Sequence, residues 1–176
     1  VLSGDDFDFN LIDPETPKLF AVSNNFSKNS VYAPVISMLM TISARQFSMQ
    51  NRVPFVYFLD EMTTVNIKNF ETLPSVLREY KAAFILLTQS GAKLENLYGK
   101  LDRSSVEANF GNMFLGRTKD VEALKYYPLF FGKEEKERRS RSSGKSGASS
   151  SSSVTVSSQK EDIYQGKDFA DLEPGE

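Results

Sequence analysis

The chain has 176 residues, with 21 Lys and Arg against 23 Asp and Glu, for a formal net charge of -2. It contains no cysteine and no histidine, which excludes a disulfide framework, a thiolate or imidazole metal site and a histidine general base. Chemistry here must rest on carboxylates, amides, hydroxyls, Lys and Arg. No apolar run approaches the roughly 18 residues of a membrane span, since VYAPVISMLMTISA is broken by Pro34, Ser37, Thr41 and Ser43.

In chain order, residues 1–17 are polar and turn-rich. Leu19 to Asn24 reads as a short strand. Asn29 or Ser30 can cap a helix running to about Phe47, with Pro34 in its first turns and Val31, Val35, Met38, Leu39 and Ile42 on one apolar face. FVYFL (55–59) is a second strand. It does not alternate apolar with polar residues, so both faces are expected to be buried, as in a parallel sheet covered by helices. Asn69 can cap a helix through ETLPSVLREY. AAFILLTQS contains a third strand, KLENLYG a short helix stopped by Gly99, and SSVEANF a further turn or two. NMFLG (112–116) reads as a fourth strand, and KDVEALKYY as helical up to Pro128. Strands alternating with helices over about residues 18–131 predict an α/β domain.

The composition then changes. KEEKERRSR (133–141) is a charge run, and residues 140–158 hold 11 serines in 19 positions. Such a stretch buries too little surface to offset its ordering entropy. It reads as a mobile loop whose arms can pair as a ragged hairpin. GKDFADLEPGE can add one helical turn. The chain begins at Val1 and stops at LEPGE, and the expectation is a piece of a longer protein.

The apolar strand FVYFL runs into Asp60 and Glu61. Ligands of parallel sheets sit beyond the carboxyl ends of the strands, where a turning backbone lets neighbouring side chains reach one crevice. Two carboxylates are costly to desolvate there unless a cation or water uses them. In nucleotide hydrolases the first acid holds Mg²⁺, usually through water, and the second polarises the attacking water; this is the Walker B arrangement. The bland alternative is an acid that merely starts a turn. Gln89, just past AAFILL, would lie beside the acids if the two strands are neighbours. An amide there can bond a γ-phosphate or orient water.

The run VYFLDEMTT, then IKNFETLPSVLREYKAAFILLTQSGAKLENLYGK, then VEANFGNMFLGRT resembles the type IV coupling proteins of bacterial conjugation, the TraG/TraD family, over roughly residues 1–132 and weakly into LEPGE. The resemblance implies a membrane-anchored hexameric ATPase at the cytoplasmic face of the inner membrane. Such a protein brings relaxosome proteins and DNA to a type IV secretion channel, with ATP and Mg²⁺ as cofactors. It implies a partial RecA-like fold of the P-loop NTPase type: a mainly parallel sheet flanked by helices, whose phosphate-loop strand is absent from this chain. Residues 1–132 would be the Walker B half, 133–160 the loop or hairpin, and 161–176 a short terminal segment of the same domain. Asp60 and Glu61 match the family's acids, with Asp60 the metal-binding one. Gln89 matches its glutamine motif, and Arg117 is a weaker candidate for an arginine acting on a neighbouring subunit's nucleotide.

The phosphate loop G-x-x-x-x-G-K-[ST] does not occur here. Gly144-Lys145-Ser146 mimics its end, but the position five residues before Gly144 is Arg139, and no buried strand precedes it. The missing strand, expected between the strand ending at Gln89 and NMFLG, would leave a gap and unpaired edges that invite self-association. The fragment alone is then expected to bind ATP poorly. Lys136, Arg138, Arg139, Arg141 and Lys145 form a basic cluster that could touch DNA phosphates. Glu134, Glu135 and Glu137 dilute it, and a solvated linker is the favoured reading. The alternative to a motor fragment is a protein-binding module that recognises relaxosome components through surface helices such as 91–99 and 119–127 without catalysis. An unrelated α/β nucleotide domain is the third reading.

Overall fold

The computed structural model describes residues 9–48, 53–146, 149–173 and 175. Residues 1–8 of the expected turn-rich stretch 1–17 and residues 147–148 of the expected loop or hairpin lie outside them. The chain divides into two compact units, Val1–Met113 and Phe114–Glu176.

The first unit carries the parallel sheet. Strand β1 (Phe55–Leu59) pairs in parallel with β2 (Ala82–Leu86), in the register Phe55 to Ala82 through Leu59 to Leu86. Tyr57, Ala82 and, partly, Phe55, Phe84 and Leu86 face a core, with the rings of Tyr57 and Phe84 stacked at 4.7 Å. Helix α1 (Asn29–Ala44) packs against this face. Its Ser43 is buried because the hydroxyl bonds Tyr57 Oη at 3.0 Å and donates to the Met40 carbonyl at 2.8 Å. The remainder of the core forms beyond the strand ends, where Met62, Val65, Ile67 and Phe70 meet Leu94 and Val106. These last two come from α3 (Gly91–Tyr98) and α4 (Lys100–Ala108). Arg103 clamps the two helices through ion pairs of 2.9 Å to both Glu95 and Glu107. Gly99, at φ +83°, makes the break between them, a conformation glycine adopts without steric cost.

Several expectations are corrected. The other sheet face is bare: Val56, Phe58 and Ile85 are 58%, 62% and 47% exposed, so β1 and β2 are not buried on both sides. Leu19 to Asn24 and residues 112–116 have no strand structure. Helix α1 is turned from its predicted orientation. Val31, Met38 and Ile42 are exposed, while Ala33, Ile36, Met40 and Ala44 pack inward. The helix is apolar on more than one side, so periodicity alone could not choose the core face. A short 3-10 turn (Phe26–Lys28) capped by the Asn25 side chain precedes it, and neither Asn29 nor Ser30 is the cap. Asn69 takes a left-handed φ of 56° rather than capping a helix; α2 (Leu73–Arg78) begins four residues later with Pro74 in its first turn.

The second unit begins with coil and α5 (Val121–Tyr126), capped by the Asp120 carboxylate accepting from Glu122 N. Pro128 does not end the helical path but lies within a 3-10 turn, Tyr127–Phe130. The strands β3 (Lys133–Ser146) and β4 (Ser149–Asp162) pair antiparallel along their full length. The Ile163 N–H donates to the Gly132 carbonyl at 3.2 Å, closing the hairpin base. Helix α6 (Gly166–Ala170) carries a capping box between Gln165 and Asp168 and buries Phe169, whose ring meets those of Tyr127, Phe131 and Tyr164. Gly166 sits where a Cβ would come within 2.6 Å of the Leu124 carbonyl oxygen, which only glycine permits.

Candidate nucleotide-hydrolysis site

The carboxyl ends of β1 and β2 stay laced beyond the regular strands. Leu87 N donates to the Leu59 carbonyl at 3.0 Å and Met62 N to the Leu87 carbonyl at 3.4 Å. Between these bonds the chain turns sharply at Glu61, which adopts a left-handed φ of 51° and ψ of 45°. For a residue with a Cβ this conformation costs roughly 1–2 kcal/mol. Two features hold it. Met62, 3% exposed, is anchored in the core. The Glu61 carbonyl accepts from both the backbone N–H and the hydroxyl of Thr64 at 2.9 Å. Sequence reading passed over Thr64, because nothing in MTT distinguishes a hydroxyl holding a strained turn from a solvated one.

The turn brings two of the predicted residues together: the Gln89 side-chain amide donates a hydrogen bond to the Glu61 carboxylate. Gln89 stands between β2 and α3, whose start is fixed by the Ser90 hydroxyl accepting from Lys93 N. Asp60 is exposed, Glu61 half-buried and Gln89 exposed. Strand order and turn thus bring Glu61 and Gln89 together at one open rim, directly after the exposed Asp60. Among the described residues no three acids gather into a metal-binding group. A hard cation such as Mg²⁺ characteristically uses one or two carboxylates and takes its other ligands from water and phosphate, and the exposed carboxylate of Asp60 suits that mode. Arg117 belongs to the second unit, exposed in the coil before α5. Its neighbour Thr118 is fixed by donating from its N–H to the Phe169 carbonyl at 3.3 Å.

Gly144-Lys145-Ser146 ends β3, paired with Ser149–Ser151 of β4. The strand–loop–helix setting of a phosphate loop is not present at that place.

Residues 54–174 match the family described as the TraM recognition site of TraD and TraG. The chain belongs to this family. The match takes in β1 through α6, so it covers the hairpin 133–162, which lies between the main resemblance over residues 1–132 and its weak continuation into LEPGE. No curated protein matches the chain in sequence. Three solved structures of a bacterial conjugative coupling protein, TrwB, share the fold at 18% identity. The sulphate complex of its ΔN70 form has a TM-score of 0.71, covering 97% of this chain and 39% of the other. The complex with ADP and Mg²⁺ has a TM-score of 0.67, covering 97% and 38%. The unbound monoclinic ΔN70 form has a TM-score of 0.63, covering 84% and 34%. The TraG/TraD chain described here therefore spans well under half the length of those structures. Its α/β fold is that of part of a RecA-like coupling protein. Among the described residues no helix is long and apolar enough to cross a membrane.

Proposed function

We propose that the chain is the acid-bearing part of a conjugative coupling ATPase, a motor that links relaxosome proteins and DNA to a type IV secretion channel. The hydrogen bond from Gln89 to Glu61 at the carboxyl ends of adjoining parallel strands carries this reading. Asp60 would hold Mg²⁺ through water, Glu61 would polarise the water that attacks the γ-phosphate, and Gln89 would orient Glu61 and sense the phosphate. Arg117 would act on the nucleotide of a neighbouring subunit in a hexameric ring anchored at the inner membrane. ATP and Mg²⁺ bound to the complete protein supply the reacting phosphate and its charge neutralisation. This chain contributes the acids and the amide, and the phosphate cradle must come from elsewhere in the protein. The ADP–Mg²⁺ complex of TrwB supports the cofactor assignment.

In the complete protein, Glu61→Gln should leave nucleotide affinity within about twofold and slow hydrolysis by about 10²–10⁴-fold, the range for loss of a positioned base. Turnover unchanged in that variant would reject the role of Glu61. The family description favours a second reading, in which this region docks a relaxosome protein of the TraM kind. Helices α3 and α5 would supply the surface. Binding of such a protein to the 176-residue chain, abolished by charge reversal on α5 and indifferent to Glu61→Gln, would select it.

A further inference from the structure

Two segments leave the carboxyl ends of the paired strands: residues 61–67 after β1 and residues 89–98 after β2. They stay joined along their length. At the near end Gln89 donates to the Glu61 carboxylate. In the middle Met62, Val65 and Ile67 pack with Leu94 of α3, all four buried. At the far end the last turn of α3 reaches back to the first segment. The Ile67 N–H donates to the Tyr98 hydroxyl at 3.0 Å, and that hydroxyl donates to the Val65 carbonyl at 3.3 Å. The Asn66 amide donates to the Leu97 carbonyl at 3.4 Å.

Helix α3 is fixed at both ends. Ser90, directly after Gln89, caps its start, and Gly99, directly after Tyr98, ends it. The half-buried Tyr98 ring lies 6.2 Å from that of the buried Phe70, centroid to centroid. A phenylalanine would serve that packing equally well; the hydroxyl serves the backbone. It accepts from residue 67 and donates to residue 65, so one side chain fixes two peptide groups of the same segment. That segment begins at Glu61, whose left-handed φ of 51° persists only where the surroundings over-determine it. Thr64 and the bond from Met62 N–H to the Leu87 carbonyl hold the turn locally, and Tyr98 holds the stretch into which it runs.

We propose that Tyr98 is a positioning residue for the Glu61–Gln89 pair: its hydroxyl ties the segment after Glu61 to the helix after Gln89 and so keeps carboxylate and amide in register. This rests on the nucleotide-hydrolysis reading given above. Without the hydroxyl, the peptides at 65–67 lose their hold on α3. The strained turn then relaxes toward an ordinary conformation and takes the Glu61 carboxylate off the water it would polarise. A displacement near 1 Å at a reacting group costs up to about 10²-fold in rate. Both bonds of the Tyr98 hydroxyl go to the backbone, so it acts only through this geometry, and its loss should fall on kcat and not on KM.

The test uses the complete protein with ATP and Mg²⁺, each variant assayed well below its thermal unfolding. Tyr98→Phe keeps the ring and deletes the hydroxyl. It should lower kcat about tenfold and leave KM within about twofold. In the Glu61→Gln background, with no base left to position, the same change should alter residual turnover by less than about twofold. Leu77→Ala opens a cavity in the other core cluster; it should destabilise the protein yet leave kcat within about twofold. Asn66→Ala, at an exposed position, loosens the same connection without risk to the fold and should lower kcat about two- to threefold. Full kcat in Tyr98→Phe, or in Asn66→Ala should Tyr98→Phe not fold, would overturn the proposal. An equal loss in Leu77→Ala, or an undiminished loss in the Glu61→Gln background, would do the same. If Glu61→Gln is slow and Tyr98→Phe is not, the nucleotide reading stands and this proposal falls; full turnover in Glu61→Gln removes both.

Discussion

Glu61 shows why a single residue can be legible in identity and hidden in conformation. The pair Asp60-Glu61 after FVYFL is visible in the sequence, and so is Gln89 after the next apolar run. The left-handed turn that swings Glu61 onto Gln89 is not, because it occurs at a residue that ordinarily avoids φ > 0 and without a glycine or asparagine to announce it. Its cost yields a prediction. Glu61→Gly should stabilise the first unit by about 0.5–1 kcal/mol by relieving the turn, net of glycine's larger unfolded-state entropy, while abolishing ATP turnover in the complete protein. Urea unfolding together with an ATPase assay measures both, and a loss of stability would mean the turn is unstrained. Two tyrosines give a second prediction. Burial raises the pKa of Tyr57 and, despite the N–H of Ile67 donating to its hydroxyl, that of Tyr98. A folded-state pKa above the unfolded value gives stability that is complete below about pH 10 and is lost as pH rises through the folded pKa. The first unit should therefore lose stability above about pH 10, and Tyr57→Phe/Tyr98→Phe should flatten that decline. Of the two, Tyr98→Phe should cost more, about 1–3 kcal/mol, since it strands the part-buried Ile67 N–H. Ser43 keeps its bond to Met40 when Tyr57 is changed.

At the level of elements, the apolar runs at 55–59 and 82–86 read correctly as strands because a continuous apolar run of five residues suits a strand and is too short for a helix. What the runs could not reveal is that one of their faces stays uncovered in this chain. The 112–116 run, NMFLG, has three apolar residues in a row, yet it has no ladder to join, and an isolated strand gains no hydrogen bonds. The hairpin is partly legible: EKERRSRS and SVTVSSQ carry enough alternation to suggest a ragged pairing, but not the regular ladder of 14 residues per strand that forms between these serine-rich arms. Phe70, wholly buried between Phe84 and Tyr98, is the keystone of the core beyond the strand ends. Phe70→Ala should destabilise the first unit by about 3–5 kcal/mol, measurable by thermal unfolding, and a shift under about 1 kcal/mol would show that the core collapses around the cavity. The bare face of Val56, Phe58 and Ile85 should make the chain self-associate. Val56→Thr/Phe58→Ser should shift it toward monomer in sedimentation velocity, and an unchanged distribution would place the contact elsewhere.

For the molecule as a whole, family membership and the shared fold with TrwB locate the chain in a conjugative coupling protein, while its length covers a minor part of such structures. In the motor proposed above, this chain would contribute the acids and the amide; because its sequence holds no G-x-x-x-x-G-K-[ST] loop, the chain by itself should show no micromolar, Mg²⁺-dependent ATP binding in a titration with labelled nucleotide. The two compact units allow the chemistry at the rim of β1–β2 and the charged ribbon β3–β4 to be tested separately. The central claim is that Glu61 and Gln89 work as one device, and a double-mutant cycle on ATP turnover in the complete protein tests it most directly. Glu61→Gln and Gln89→Ala should each reduce turnover, and the double variant should be no slower than the worse single one, as for groups that act as a unit. Losses that simply multiply, or a Gln89→Ala variant with full turnover, would contradict it.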